Sequence, residues 1–175
     1  MIDIDRPDEY PFVIDWRKLP DEGRSFLLKP SEDLLPSIAD RLGVLSVQSL
    51  RGEAHVSVAN GLVIVSGQLT GALERKCVVT LEAMIEPLRD EFQLRFAPSR
   101  MGAIPYGDDE SDLDSPEPLD GDSLDLGEIL IQQAALAMAA HPRKSGAEDI
   151  IAAYGEEDDT SPFAVLKNRV SGPDA

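Results

Sequence analysis

Cysteine is almost absent from this chain of 175 residues, which contains Cys77 alone. One thiol cannot form an internal disulfide, and no cluster of thiols is present that could close a zinc site. A reducing compartment suits such a sequence best. We therefore expect a cytoplasmic protein, and no cofactor or metal is predicted.

Export and membrane signals are also missing. Residues 1–15 open with acids and prolines and lack the basic and apolar regions of a signal peptide, so no export is expected. The longest apolar stretch, residues 124–140, is interrupted by Asp125, Glu128, Gln132 and Gln133. A lone membrane span of about 20 residues rarely carries so many polar groups. The stretch predicts a helix of a soluble protein, with no membrane partner.

Basic residues are few. The 16 Lys and Arg residues face 33 Asp and Glu residues, so the net charge is −17. Nucleic-acid binding draws much of its affinity from cations that neutralise phosphates, so direct, non-specific RNA or DNA binding by the whole protein is disfavoured. A basic protein is the charged partner that this composition predicts.

The common ligand-binding motifs are absent. The glycines at 61, 67 and 71 do not have the spacing of a phosphate-binding fingerprint, and no Gly-Lys-Ser/Thr sequence occurs. An acidic run lacks the central glycine and the terminal glutamate of a calcium loop. We interpret it as a solvated loop that attracts a basic partner; its acids are Asp108, Asp109, Glu110, Asp112 and Asp114.

Short strands are predicted before the central part of the chain, at residues 12–16 and 25–29. A helix is expected from Ser31, as a side-chain cap, to Leu42, with Gly43 ending it. Pro36 would remove a backbone donor beyond the first turn, so the helix either starts later or is kinked there.

The clearest pattern lies between Gly52 and Phe96. Alternating apolar residues predict a strand over 53–59, and Asn60-Gly61 predicts a type I′ turn onto a second strand at 62–65. Two further alternating runs predict two strands joined through residues 87–90. Their apolar members are Leu81, Ala83 and Ile85 in the first run, and Phe92, Leu94 and Phe96 in the second.

The second half predicts helices. Asp125 and Glu128 form a capping pair for a helix over 126–140, which His141-Pro142 ends. A short helix is expected near 148–153. In the tail, Ser161-Pro162 precedes an apolar face that includes Phe163 and Leu166, which predicts a small docking helix on an acidic tether.

These elements predict an α+β fold. Its centre is an antiparallel sheet or a partly closed barrel, with one helix after the first strands, a long C-terminal helix and a short tail helix. Residues 1–100 would form the β-rich core, 101–123 an acidic disordered loop, and 124–175 a helical segment that packs on the core and ends in a flexible tail.

Cys77 is the main candidate for chemistry. Its neighbours Arg75 and Lys76 could lower the pKa of the thiol, and His55 could serve as its base if the two residues were cross-strand neighbours. The alternative is a small buried side chain at the start of a strand. The segment 74–76 is interpreted as a loop that offers a local positive contact point.

Direct RNA reading is the remaining alternative, with Arg75, Lys76, Phe92 and Phe96 lining a stacking surface. The alternation argues against it, because Phe92 and Phe96 share a face with Leu94, as a buried face requires.

Several segments, taken in order, resemble the YceD family of large ribosomal RNA subunit accumulation proteins. The resemblance covers most of the chain from about Leu50 onward and rests on residues 65–69, 77–82, 91–92 with 96–98, 125–128 with the following helix and 141–142, and 161–166. It implies a cytoplasmic bacterial or organellar protein needed for accumulation of large-subunit rRNA, with no enzyme activity. Many relatives carry a cysteine-rich segment before the tail. Residues 143–155 of this chain contain no cysteine, so the resemblance does not imply metal binding here.

The resemblance and the charge together predict a non-enzymatic factor in large-subunit (23S) rRNA accumulation or ribosome biogenesis. It would act through a basic ribosomal protein or RNA-processing enzyme, with indirect rRNA contact. The candidate interaction residues are Arg75, Lys76, Cys77, Asp108, Asp109, Glu110, Phe163 and Leu166.

Overall fold

The computed structural model describes residues 10–99 and 115–155. The described chain has seven strands, three α-helices and two short 3-10 turns, at Trp16–Lys18 and Glu32–Leu34. In chain order the main elements are β1 (Val13–Asp15), β2 (Arg24–Leu28), α1 (Leu35–Leu42), β3 (Ser46–Ala59), β4 (Leu62–Lys76), β5 (Ala83–Pro98), β6 (Glu117–Leu119), β7 (Ser123–Asp125), α2 (Leu126–Ala137) and α3 (Ala147–Gly155).

The main sheet has five strands in the order β2-β3-β4-β5-β6. Its first three pairings are antiparallel, and the short β6 runs parallel to the end of β5. Asn60 and Gly61 both have positive φ, of 51° and 78°, as the predicted type I′ turn between β3 and β4 requires. The fold is therefore α+β, as predicted, with an open sheet in place of a barrel.

The segment from Ala83 to Pro98 corrects the strand prediction. It is one strand of 16 residues that pairs with β4 along its length, and residues 87–90 continue the ladder where a turn was predicted. Side chains alternate strictly between the two faces of a strand. Because the even-numbered residues of β5 face the core, Ile85 lies on the outer face and is 48% exposed.

One face of the sheet carries the core, and α2 packs across β2, β4 and β5 while α1 packs on β3. Phe96 is 7% exposed and Phe92 is half-buried against the core, so the predicted burial of their face is confirmed. The two helices are joined by Arg41, whose Nη1 donates to Glu128 Oε2 at 2.7 Å. This guanidinium holds the pKa of Glu128 below its usual range.

Helix α1 starts later than Ser31, one of the two outcomes expected from Pro36. The 3-10 turn at Glu32–Leu34 comes first, and α1 begins at Leu35, which places the proline in its first turn where no backbone donor is needed. The Ser31 side chain makes no capping hydrogen bond, so that detail of the prediction is wrong. Gly43 ends the helix with a φ of 65°, as expected.

A second, two-stranded sheet pairs β1 with β7 and leads directly into α2. Asp125 caps that helix, since its side chain accepts from the backbone N–H groups of Gly127 and Glu128 at 2.9 and 3.2 Å. The Glu128 half of the predicted capping pair is wrong, because that carboxylate bonds Arg41 and Gln132. The helix has 12 residues and ends at Ala137, before the predicted Ala140.

The remaining C-terminal predictions have mixed outcomes. The predicted short helix is present as α3. Within the predicted loop 101–123, Glu117–Leu119 forms a strand that the sequence did not reveal. Residues 101–114 and the predicted tail helix at 161–166 lie outside the described residues.

Candidate functional site

The candidate residues near Cys77 gather at one end of the main sheet. Glu74, Arg75 and Lys76 were predicted to form a loop, but they are the last residues of β4. Cys77 follows the strand and does not begin one. It opens a tight turn, residues 77–82, which we call the Cys77 turn.

Backbone hydrogen bonds close the Cys77 turn. The N–H of Cys77 donates to the carbonyl of Glu82, and the N–H of Leu81 donates to the carbonyl of Cys77, both at 2.9 Å. Leu81 adopts a left-handed φ of 60°, which is unfavourable for a bulky residue and persists only where the surroundings enforce it. The turn is therefore a defined structure held at the end of the β4-β5 hairpin.

The thiol of Cys77 is completely buried beneath this turn. Its Sγ accepts the backbone N–H of Lys144 at 3.3 Å and that of Thr80 at 3.4 Å. These donors favour the thiolate. The Lys144 N–H, followed by the Thr80 side chain and backbone, lowers the pKa of the Cys77 thiol to about 7, and burial opposes the shift.

Residues 142–144 hold the turn from outside. The N–H of Val78 donates to the carbonyl of Pro142 at 2.9 Å, and Lys144 Nζ lies 2.8 Å from a carboxylate oxygen of Glu82. This lysine lowers the pKa of Glu82, and the carboxylate in turn raises the pKa of Lys144. The segment after α2 and the hairpin end thus form one unit.

Arg75 is not a free contact point. It lies on the core face, and its Nη1 is 2.5 Å from Glu86 Oε2, with the two side chains only 17% and 10% exposed. The same nitrogen donates to the carbonyl of Ala139 at 2.9 Å, while Glu86 Oε1 accepts the Ala139 N–H at 2.7 Å. The pair therefore grips both backbone groups of one residue just beyond α2, and we call it the Arg75–Glu86 clamp.

Cys77 and His55 are far apart, so the condition on which their pairing depended, that they be cross-strand neighbours, is not met. His55 lies opposite Ser66 in the ladder, and its ring bonds Ser25 Oγ at 3.1 Å. Ser66 precedes Cys77 by 11 residues along an extended strand, a distance of roughly 35 Å. The register places this histidine near the middle of the sheet, away from the thiol.

Sequence reasoning missed Glu82, Glu86 and Pro142 as members of this site. In the sequence, Glu86 belongs to the polar half of an alternating run, and only the register of β5 against β4 places it opposite Leu73 on the core face. The one sequence signal for Lys144 was the short basic stretch at 141–144. No local pattern marks a contact between residues 53 positions apart, as between Glu86 and Ala139.

The other candidate residues, Asp108, Asp109, Glu110, Phe163 and Leu166, lie outside the described residues. Within residues 10–99 and 115–155, no group of three or more His, Cys, Asp or Glu side chains is arranged to hold a metal ion. None of the described helices is long and apolar enough to cross a membrane.

Comparison with known families gives a match over residues 65–168, to the family described as large ribosomal RNA subunit accumulation protein YceD. This match covers more than half of the chain. The chain belongs to the YceD family. No curated protein and no solved structure matches it.

The YceD match includes the whole of the site described above. It begins within β4 at Val65 and continues through the Cys77 turn, β5, the clamp and both C-terminal helices. The elements before Val65, among them α1 and β3, lie outside it, so the match is shorter than the resemblance from about Leu50 suggested. The family description names an accumulation role and no reaction.

The lowered pKa of Cys77 predicts a pH-dependent contribution to stability. A depressed acid pKa stabilises the folded state above the usual pKa of the group, 9.0 here, and that contribution is lost as the pH falls through about 7. We expect the free energy of unfolding of the native chain to rise from pH 7 to pH 9 relative to Cys77→Ser, which has no thiol to titrate. Urea unfolding of both proteins across this range measures the difference, and a pH-independent difference would contradict the prediction.

Proposed function

We propose that this YceD protein supports the accumulation of large-subunit (23S) rRNA, or ribosome biogenesis more broadly, without catalysing a reaction. It binds a basic protein, such as a ribosomal protein or an RNA-processing enzyme, and its contact with rRNA is indirect. The observation that carries the rRNA role is the family match over residues 65–168.

The distribution of charge supports a protein partner. The 131 described residues contain 19 acids and 12 bases, a net charge of −7, whereas the other 44 residues contain 14 acids and 4 bases, a net charge of −10. The other 44 residues, one third as many as the described ones, therefore carry more than half of the net charge. Such dense negative charge repels phosphates and speeds association with a basic surface.

The geometry of the candidate residues supports a non-enzymatic role. Cys77 is buried, and His55 is bound to Ser25 elsewhere in the sheet, so His55 cannot serve as the base of the thiol. The alternative of direct RNA binding by the sheet also loses support. Phe96 is 7% exposed and packs in the core, where it cannot stack on a base.

Affinity purification of the tagged chain from its native cells, with and without RNase, tests the proposal. We expect basic ribosomal or processing proteins to remain bound after RNase treatment, and depletion of the chain to lower the level of 23S rRNA. If the purified chain alone bound 23S rRNA fragments tightly at physiological salt, the indirect model would be wrong. An unchanged 23S level after depletion would remove the rRNA role itself.

The acidic run supplies a charge-specific prediction. We expect the triple substitution Asp108→Asn, Asp109→Asn and Glu110→Gln to slow association with the captured partner about ten-fold at low salt, because electrostatic steering is worth one to three decades in rate. The effect should shrink as salt is added. Stopped-flow or surface-based kinetics at two salt concentrations measures it.

A matched control carries the same change in net charge at another place. Asp21→Asn, Glu22→Gln and Asp33→Asn remove three exposed acids from the described part of the chain. If this control slowed association as much as the first variant, overall charge alone would account for the effect and the acidic run would have no special part in it.

A further inference from the structure

Exposed apolar side chains are concentrated at the Cys77 end of the sheet. Of the nine large hydrophobic residues that are exposed in the described chain, four lie here: Leu45, Val78, Leu81 and Ile85, with Leu81 the most exposed of them at 73%. Leu45 belongs to this end because its N–H donates to the carbonyl of Glu74, which faces Ile85 in the ladder. We call these four residues the apolar tip. Leu45 borders a groove with Leu35 and Ala39 of α1, whereas Ile85 lies on the outer face, so the apolar tip extends around the end of the sheet. Several exposed apolar residues at one end of a sheet indicate an interaction site.

The most exposed residue of the tip is held out in solvent by its backbone. Leu81 keeps its left-handed φ because the N–H of Leu81 and the N–H of Cys77 are both bonded within the turn. The Cys77 turn is also hydrogen-bonded to Pro142 and Lys144. Leu81 therefore cannot fold back onto the protein without breaking these hydrogen bonds. An unfavourable conformation that is enforced at an exposed apolar residue points to recognition.

Two cations beside the apolar tip lack an ion-pair partner among the described residues, although acids lie there as well: Glu74 accepts from Ser46 Oγ at 2.9 Å, and Glu82 pairs with Lys144. Lys76 and Arg143 are exposed, and no ion pair engages either of them among the described residues. Lys144 is already neutralised by Glu82. A ligand that complements this surface carries carboxylates next to apolar side chains.

The chain itself contains such a segment, close by. Four acids, Glu156, Glu157, Asp158 and Asp159, precede the apolar residues Phe163, Val165 and Leu166. Helix α3 starts three residues after Lys144 and is about 14 Å long, whereas the eight residues 156–163 can span about 26 Å. The tail is therefore long enough to return to the tip.

We propose that the tail, residues 156–166, docks on the apolar tip of its own chain, with its acids toward Lys76 and Arg143 and its apolar residues on Leu81 and its neighbours. The apolar tip and the tail then remain bound to each other until a partner displaces one of them. The proposal does not depend on the identity of the partner or on the role in rRNA accumulation.

Zero-length cross-linking of the purified full chain with a carbodiimide tests this, because the reagent joins a carboxylate only to an amine in direct contact. We expect mass spectrometry to find Lys76 linked to one of the four tail acids within a single chain, and the link to be lost at high salt. An equal mixture of unlabelled and ¹⁵N-labelled protein distinguishes chains, since a link between two chains gives mixed-isotope peptides. Mixed links, or no link at Lys76, would overturn the proposal.

Leu81→Asp probes the apolar half of the contact. Aspartate tolerates the left-handed conformation better than leucine, so the turn should be preserved, while the new charge repels the tail. We expect the Lys76 link to fall about ten-fold, the cost of losing one apolar contact. Val58→Asp adds the same charge at the opposite end of β3 and is the matched control variant. The cross-links between exposed Lys29 and the tail are a second control. If Lys29 linked to the tail as strongly as Lys76, the tail would be sampling the surface without docking, and the proposal would be wrong.

Discussion

Glu86→Ala should lower the free energy of unfolding by about 3 to 4 kcal/mol, since it removes one partner of a largely buried ion pair. The substitution leaves the Arg75 guanidinium, 17% exposed, without its counter-charge and deprives the Ala139 N–H of its acceptor. The loss of the clamp should also release the chain beyond α2 from β4 and β5. Urea unfolding followed by circular dichroism measures the change.

Two comparisons separate the clamp from a general charge effect. Glu82→Ala breaks an ion pair whose side chains are 62% and 50% exposed, and we expect the unfolding midpoint to change little. The double substitution Arg75→Met with Glu86→Leu removes both charges and should recover more than half of the lost stability, because no unpaired charge remains. Equal effects of Glu86→Ala and Glu82→Ala would show that the clamp contributes no more than a surface pair.

Gly127→Ala should lower the free energy of unfolding by about 3 kcal/mol, although alanine is the better helix former by about 1 kcal/mol. A Cβ at this position would lie 1.7 Å from the carbonyl oxygen of Tyr10 and 2.9 Å from its carbonyl carbon. Both atoms belong to the backbone and cannot rotate away. Steric overlap therefore outweighs helix propensity, and the sign of the effect reverses.

The backbone displaced by that Cβ takes part in the start of α2. Phe12 donates its N–H to Asp125 Oδ1 and accepts the N–H of Leu126, both at 3.0 Å. Ala135→Gly, at an exposed position of the same helix, is the matched control and should cost about 1 kcal/mol through propensity alone. Unfolding in urea compares the two, and a stabilised Gly127→Ala protein would contradict the close packing.

Two patterns that depend on near neighbours were predicted correctly. Asn60-Gly61 specified its own turn because both residues accept positive φ, and the flanking alternation placed β3 and the start of β4. Asp125 was recognised as a cap because its acceptor lies within three residues of the donors that it serves. The family resemblance was confirmed by the match over residues 65–168.

The strand β5 shows where local pattern fails. Leu81, Ala83 and Ile85 are odd-numbered, whereas Phe92, Leu94 and Phe96 are even-numbered, so one uninterrupted strand cannot bury both sets. A turn at 87–90 would have reconciled them. The ladder with β4 instead continues through Pro87, and the first set is left on the outer face. The odd and even numbering of the two apolar sets shows that one strand cannot bury both. Choosing between a turn and a continuous strand required the pairing with β4.

The amino-acid sequence was sufficient for the α+β class, the family, the Asn60-Gly61 turn and the Asp125 cap, and the last two were accessible because each depends on residues within a few positions of one another. It did not reveal the absence of a Cys77–His55 pair, the burial of Glu86 or the shared hydrogen bonds of Cys77 and Lys144. Those features join residues between 22 and 67 positions apart, and only strand register and helix packing bring such residues together or keep them apart. The scarcity of cysteine excluded an internal disulfide from the start, but only the tertiary structure decided that the one thiol lies buried among backbone donors.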